Sequence, residues 1–247
     1  MLRQLTNLRH YGRLRSVART ERIRKPHFLT ENSEFEIQDL LSFVVAQHAR
    51  PDCEFYFVQI GAFDGRQGDP LFDLVRERNW HGVLVEPQAE AFEVLKRNYQ
   101  GQEGLQFFNV AIGPQDGEMP FFTRQDGLTS IASPYRHLLV KPGLFRREVV
   151  QRQVPCWTLS TLLERANAPD HIDLLQIDTE GFDYEIVRSI DFGRIAPAII
   201  RYEHQILSER DRNSCLRLLS ENGYRFLLED CDTTAIRVNN VSPKSSC

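Results

Sequence analysis

No run of about twenty apolar residues occurs in this 247-residue chain, so no segment reads as a transmembrane helix. No apolar stretch with a small-residue cleavage site opens it either. Cysteine is sparse and unpatterned. Cys53, Cys156, Cys215, Cys231 and Cys247 are odd in number and never form a C-x-x-C pair. That argues for reduced thiols in a cytoplasmic protein rather than a disulfide framework. The G-x-G-x-x-G spacing that rests a pyrophosphate on a helix N-terminus is missing. So are the Tyr-x-x-x-Lys pair of an NAD-dependent oxidoreductase and the Asp/Asn-Pro-Pro-aromatic block that serves an amino group on a flipped base. With 41% hydrophobic and 26% charged residues, the composition is otherwise that of an ordinary globular domain.

Charge is unevenly spread. In residues 1–27, Arg3, Arg9, Arg13, Arg15, Arg19, Arg22, Arg24 and Lys25 face only Glu21, giving +7; the net charge of -4 leaves -11 for the rest. Leu2, Leu5, Leu8, Leu14 and Val17 recur among these arginines as on one face of a basic amphipathic helix. The arm, 1–32, reads as a solvated or body-docked extension, as a peripheral contact with an anionic membrane surface or acidic acceptor, or as a transit peptide. The acidic body speaks against a nucleic-acid partner.

The body, 33–238, alternates β and α patterns. Ser33 and Glu36 form a capping box for a helix reaching His48. The apolar run Phe55 to Ile60 then stops at Gly61, with Asp64 and Gly65 following. Asp69-Pro70 reads as the N-cap and first position of a helix carrying Leu71, Leu74 and Val75. Gly82 to Glu86 is a buried strand ending in an acid, Pro87 opens a helix, and Leu105 to Gly113 is a third strand. Residues 114–154 break the rhythm as a β-rich insertion, with turns at Asp116-Gly117 and Asp126-Gly127, suited to a lid or acceptor cap. Further units follow: a helix over 158–166, a strand Ile172 to Asp178, a helix from Phe182, a strand Ala198 to His204, and a helix Arg210 to Asn222. Tyr224 to Leu228 and Thr234 to Val238 are separated only by a short turn and must pair antiparallel. Residues 239–247 form a loose tail.

Such alternation predicts an α/β fold: a Rossmann-like, seven-stranded, mostly parallel sheet closed by a C-terminal antiparallel hairpin, the class I methyltransferase arrangement. Strand carboxyl ends share one crevice, so Asp64, Glu86 and Asp178 converge there. A carboxylate at the second strand end suits the two hydroxyls of a ribose. A ligand with a ribose, no pyrophosphate and an amino-acid head group is S-adenosylmethionine. Gly61 and Ala62 would meet its carboxylate and amine, Asp64 its ammonium or an ordered water, Glu86 its ribose, and Asn109, Val110 and Ala111 its adenine, with Gln59 and Gly65 counted in the same cofactor site.

Three segments carry a resemblance: 57–65 (FVQIGAFDG), 109–113 (NVAIG) and 174–183 (LLQIDTEGFD). They resemble the FkbM family of S-adenosylmethionine-dependent methyltransferases across about residues 55–238. The resemblance implies O-methylation of a hydroxyl on a sugar or natural product, and it extends to nodulation-type enzymes that 2-O-methylate a fucosyl group of a lipo-oligosaccharide. Gln59 stands where many members carry an acid, Gln176 where a lysine is usual, and Ser160 where an aspartate often follows Thr-Leu. A sugar hydroxyl needs a base or a metal beside the reacting methyl. Asp178, Glu180, Glu203 and His204 are the candidates. His204 is favoured as base, and Asp178, Glu203 and His204 form an alternative Mg²⁺ set. Rival readings are an NAD-dependent oxidoreductase, a D-x-D glycosyltransferase through Asp230 and Asp232, and an inactive cofactor-binding module.

Overall fold

The computed structural model describes residues 40–48, 54–124, 132–139, 149–229 and 231–238. The basic arm, the Ser33–Glu36 capping box, the Asp126-Gly127 turn and the tail lie outside them. Five parallel strands build the sheet: β1 (Tyr56–Ile60), β2 (His81–Val85), β3 (Leu105–Phe108), β7 (Leu174–Ile177) and β8 (Ile199–Glu203). The hairpin β9 (Tyr224–Leu228) and β10 (Asp232–Arg237) extends it, β10 lying antiparallel to β8 and β9. The seven strands run in the order β3-β2-β1-β7-β8-β10-β9. Only the class I methyltransferase arrangement among the readings above has this hairpin.

Each sheet face buries its own apolar set. On one face, Phe57, Leu84, Leu174 and Ile199 pack against α1 (Leu40–His48), α2 (Phe72–Arg78) and α3 (Ala89–Asn98), joined by Trp80 and Tyr99. Phe55 and Trp80 stack there, with ring centroids 4.0 Å apart. On the other face, Val58, Val83, Leu175 and Ile200 pack against α5 (Leu159–Arg165), α6 (Asp183–Arg188) and α7 (Glu209–Glu221). Strand residues alternate between the two clusters, as a period of two requires. Helices before β3 cover one face and those after it the other, so the connections diverge between β1 and β7. Their carboxyl ends form the switch point where open α/β sheets bind ligands.

Two expected elements are placed differently. The third strand is broken: β3 ends at Phe108, and β4 (Ala111–Ile112) joins β5 (Gly117–Arg124) and β6 (Val149–Trp157) in a second, three-stranded sheet. The break falls at Asn109, whose side-chain amide donates to the Glu86 carbonyl at 2.7 Å and pulls the chain toward the end of β2. The helix after Asp69-Pro70 begins only at Phe72. Asp69 Oδ1 accepts the Leu71 N–H at 2.8 Å, a local turn that delays the helix. A short helix, α4 (Arg136–Leu139), lies between β5 and β6.

Candidate active site

A pocket of about 840 Å³, counting its open mouth, sits at the carboxyl ends of β1, β2 and β7. The glycine turn makes its floor. Gly61 has φ +82°, and a Cβ there would stand 1.8 Å from the Asp178 carbonyl oxygen. Only glycine lets the ends of β1 and β7 come this close. Gly61 and Ala62 N–H both donate to the Val85 carbonyl at 2.9 Å, which ties the turn to β2. Those two donors are therefore spent on the fold, contrary to their expected role on a ligand carboxylate, although both residues line the pocket.

Glu86 is 3% exposed and clamps the same turn. Its Oε2 accepts the Phe63 N–H at 2.8 Å and its Oε1 the Gln88 N–H at 2.7 Å. Burial lifts its carboxyl to about 7, partly offset by those two N–H groups. Each carboxylate oxygen has a second lone-pair direction, so the clamp can still accept a ribose hydroxyl.

Three other expected cofactor residues stand behind the wall. Asp64 does not line the pocket. Its Oδ1 accepts the N–H groups of Arg66 and Gln67 at 2.9 and 2.8 Å and shapes the turn. Gly65 packs against α3, where a Cβ would meet Leu95 Cδ1 at 2.3 Å. Asn109 braces Glu86 from outside, while Val110, Ala111 and Ile112 do line the pocket.

Asp178 and Glu180 contribute the opposite wall. Burial, then the like charges of Asp183, Glu180 and Asp232, push the Asp178 carboxyl up to about 8, with partial relief from Arg201. The side chain is exposed in the crevice, so water moderates this rise, and a ligand that displaces the water enlarges it. Glu203 is pushed up to about 9 by burial and then by Asp178, Glu180, Asp183 and Asp232.

Asp183, fully buried, organises this wall: its Oδ2 accepts the Thr179 hydroxyl at 2.9 Å and its Oδ1 the Glu203 N–H at 3.2 Å. Burial raises its own carboxyl to about 6. The Ser133 hydroxyl donates to the Glu180 carbonyl at 2.9 Å, pinning the insertion against the site, and Phe121, Ala132 and Pro134 complete the wall.

His204 lies apart from the pocket lining. Its Nδ1 sits 3.0 Å from Thr233 Oγ1, and burial, then Arg212, lowers its pKa. Among the described residues, no three His, Cys, Asp or Glu side chains converge closely enough to hold a metal ion. The expected Asp178, Glu203 and His204 set is thus not assembled, because the imidazole is turned toward β10. Asp232 is taken by Arg201, whose Nη2 donates to it at 2.7 Å. That use as a structural ion pair argues against the D-x-D reading; Asp230 lies outside the described residues. Ser160 is on the exposed side of α5, accepting from Arg194 at 2.7 Å, away from the site.

The two glutamine departures are a single feature. Gln59 and Gln176 are direct partners in the β1–β7 register, followed by Arg201 on β8. A neutral amide pair therefore occupies two adjoining positions of the central strands. Sequence reasoning missed Asp69, which lines the pocket, and Asp183. Both were visible beside quoted motifs, but Asp69 also fits a helix cap and Asp183 a first-turn acid.

The sequence profile described as Methyltransferase FkbM domain matches residues 59–226, most of the chain. The chain belongs to the FkbM methyltransferase family. Among solved structures, it is similar to methyltransferase FkbM from Methylobacillus flagellatus KT, with 12% identity and a TM-score of 0.48 over 74% of this chain and 43% of that one. It therefore spans less than half of that relative's length. The precorrin-6y C5,15-methyltransferase from Geobacter metallireducens GS-15 is similar at 10% identity and a TM-score of 0.41, over 79% of this chain and 86% of that one. The N-terminal domain of human METTL16 in complex with SAH is similar at 11% identity and a TM-score of 0.41, over 80% of this chain and 67% of that one. No curated protein sequence matches the chain significantly.

Proposed function

We propose that the protein is an S-adenosylmethionine-dependent O-methyltransferase acting on a hydroxyl of a sugar, such as a fucosyl group of a glycolipid or lipo-oligosaccharide. The observation that supports this most is the charge of the pocket. Among the described residues that line it, Asp69, Glu86, Asp178 and Glu180 are acidic, and none is Lys, Arg or His. Such a cavity repels a pyrophosphate and favours a cationic ligand with a ribose, which speaks for the methyl donor over NAD. When bound, S-adenosylmethionine supplies a methyl group on a positively charged sulfur, open to displacement by oxygen.

The residues of the chain would orient and deprotonate. Glu86 accepts from the ribose. Asp178, at the pocket wall with its carboxyl lifted toward neutrality, is the base in this reading and takes the proton from the acceptor hydroxyl. Glu180, at the pocket wall, accepts from a neighbouring hydroxyl of the sugar, a task a carboxylate performs through charge-assisted hydrogen bonds; Glu203 lies outside the pocket lining. The 114–154 insertion, which lends Phe121, Ala132 and Pro134 to the wall, would select the acceptor. The basic arm, 1–32, would meet an anionic lipid surface or the acidic body through its excess of arginine.

The test is methyl transfer from labelled donor to a panel of free and lipid-linked sugars, with and without Asp178→Asn. Label in a sugar O-methyl ether, lost at least 100-fold in the variant while cofactor binding persists, supports the reading. Label delivered to an amine or carboxylate instead contradicts it.

A further inference from the structure

Asp69 is a pocket carboxylate whose second oxygen has a task in neither the fold nor the reading above. It lines the same cavity as Gln59, Gly61, Gln176 and Asp178. One oxygen is anchored, since Oδ1 accepts the Leu71 N–H at 2.8 Å. Its other oxygen, Oδ2, is buried without a hydrogen-bond partner. Beside it, Gln59 is 4% exposed, and its Oε1 is likewise buried and without a partner. The Gln59 side chain reaches the Asp69 carboxylate as a hydrogen-bonding neighbour that draws its pKa down, but the contact is too poor in geometry to satisfy Oδ2 and leaves Gln59 Oε1 unused.

Unmatched buried acceptors cost about 1–3 kcal/mol each, and more for a charged one, so a pair on one cavity wall calls for a donor. The pocket lining described here supplies no cationic side chain. The complementary group is compact, positively charged and rich in N–H donors, which describes an α-ammonium. The Gly61 carbonyl sits at the same turn, and the ammonium has a third proton to give it.

We propose that Asp69, with the Gln59 amide and the Gly61 carbonyl, holds the α-ammonium of the cofactor's amino-acid head group. This rests on the methyl-donor reading above. It moves the role from Asp64, whose carboxylate is spent on the Arg66 and Gln67 N–H groups. It also accounts for Gln59. With Asp69 alongside, a second carboxylate at position 59 would place two like charges in one buried space to meet a single cation. Asp69 supplies the one negative charge from the loop instead of from the strand.

Calorimetric titration separates the outcomes without any turnover. The probes are S-adenosylhomocysteine, its deaminated analogue that keeps the carboxylate, and 5′-methylthioadenosine, which lacks the whole head group. Wild-type protein should bind S-adenosylhomocysteine about 10- to 100-fold more tightly than the deaminated analogue, the range for a charged hydrogen bond. Asp69→Asn, which keeps an oxygen for the Leu71 N–H, should lose that preference and bind 5′-methylthioadenosine as before. Equal binding of S-adenosylhomocysteine by variant and wild type overturns the assignment, and so does an equal loss of all three probes in the variant. Should the variant not fold, the wild-type comparison decides alone: no preference for the amine overturns it. Wild-type protein that binds none of the three probes overturns the methyl-donor reading itself.

Discussion

Gly61→Ala is the perturbation whose cost can be worked most directly from the structure. A non-glycine residue in the left-handed region costs roughly 1–2 kcal/mol. The new Cβ would also stand 1.8 Å from the Asp178 carbonyl oxygen, a backbone atom that cannot rotate away. Relief requires the ends of β1 and β7 to separate, straining the Asp178 N–H bond to the Ile60 carbonyl and the Gly61 and Ala62 N–H bonds to Val85. At about 1 kcal/mol net per hydrogen bond, the three bonds and the conformational cost together come to about 4.5 kcal/mol. Gly68→Ala is the matched control: φ is +73°, but nothing lies within 4 Å of the added Cβ, so only the conformational cost applies. In urea, with a slope of about 3 kcal/mol per M, the midpoint should fall by about 1.5 M for Gly61→Ala and by about 0.5 M for Gly68→Ala. Equal shifts for the two variants would refute the close approach of the turn to β7, and with it the shape of the pocket floor.

Three further outcomes are expected. The carboxyls of Asp69, Asp183, Glu86, Asp178 and Glu203 lie above the ordinary range, from about 6 to about 9, so the folded protein holds protons that the unfolded chain releases. Their contribution to stability is full below about pH 4 and is lost as pH rises through those values. Urea midpoints should therefore decline from pH 5 to pH 9, and Glu203→Gln should flatten the upper part of that decline; an unchanged slope counts against the carboxylate cluster. Asp183→Ala removes the acceptor shared by Thr179 and Glu203 and should cost about 3 kcal/mol by chemical unfolding, whereas a change under 1 kcal/mol would show that Asp183 does not brace the wall. Arg201→Met takes the guanidinium from Glu229 and Asp232, whose side chains are 5% and 15% exposed. It should cost about 3 kcal/mol, and a neutral result would place that ion-pair group outside the stability of the hairpin.

The fold was legible because its signals are long and repeated. Buried runs such as 56–60 and 174–177 end in glycine or acid, helices follow them, and the short turn before β10 admits only antiparallel pairing. Single-residue choices were not legible. Asn109 looks like one more residue of a third strand until its amide is seen turned to the Glu86 carbonyl. Asp69 before Pro70 has the pattern of a helix cap, and only the packed structure shows one oxygen holding Leu71 and the other buried without a partner. His204 follows a strand in the sequence, but its imidazole turns to Thr233, a contact between residues 29 positions apart. Gln59 and Gln176 read as two separate departures because register across β1 and β7 cannot be read from either strand alone.

The most direct test of the central claim is calorimetric titration of the full chain with S-adenosylhomocysteine and, separately, with NAD. The account predicts saturable one-to-one binding of S-adenosylhomocysteine, weakened at least 10-fold by Glu86→Ala, and no heat of binding with NAD. Binding of NAD with no response to S-adenosylhomocysteine would contradict it.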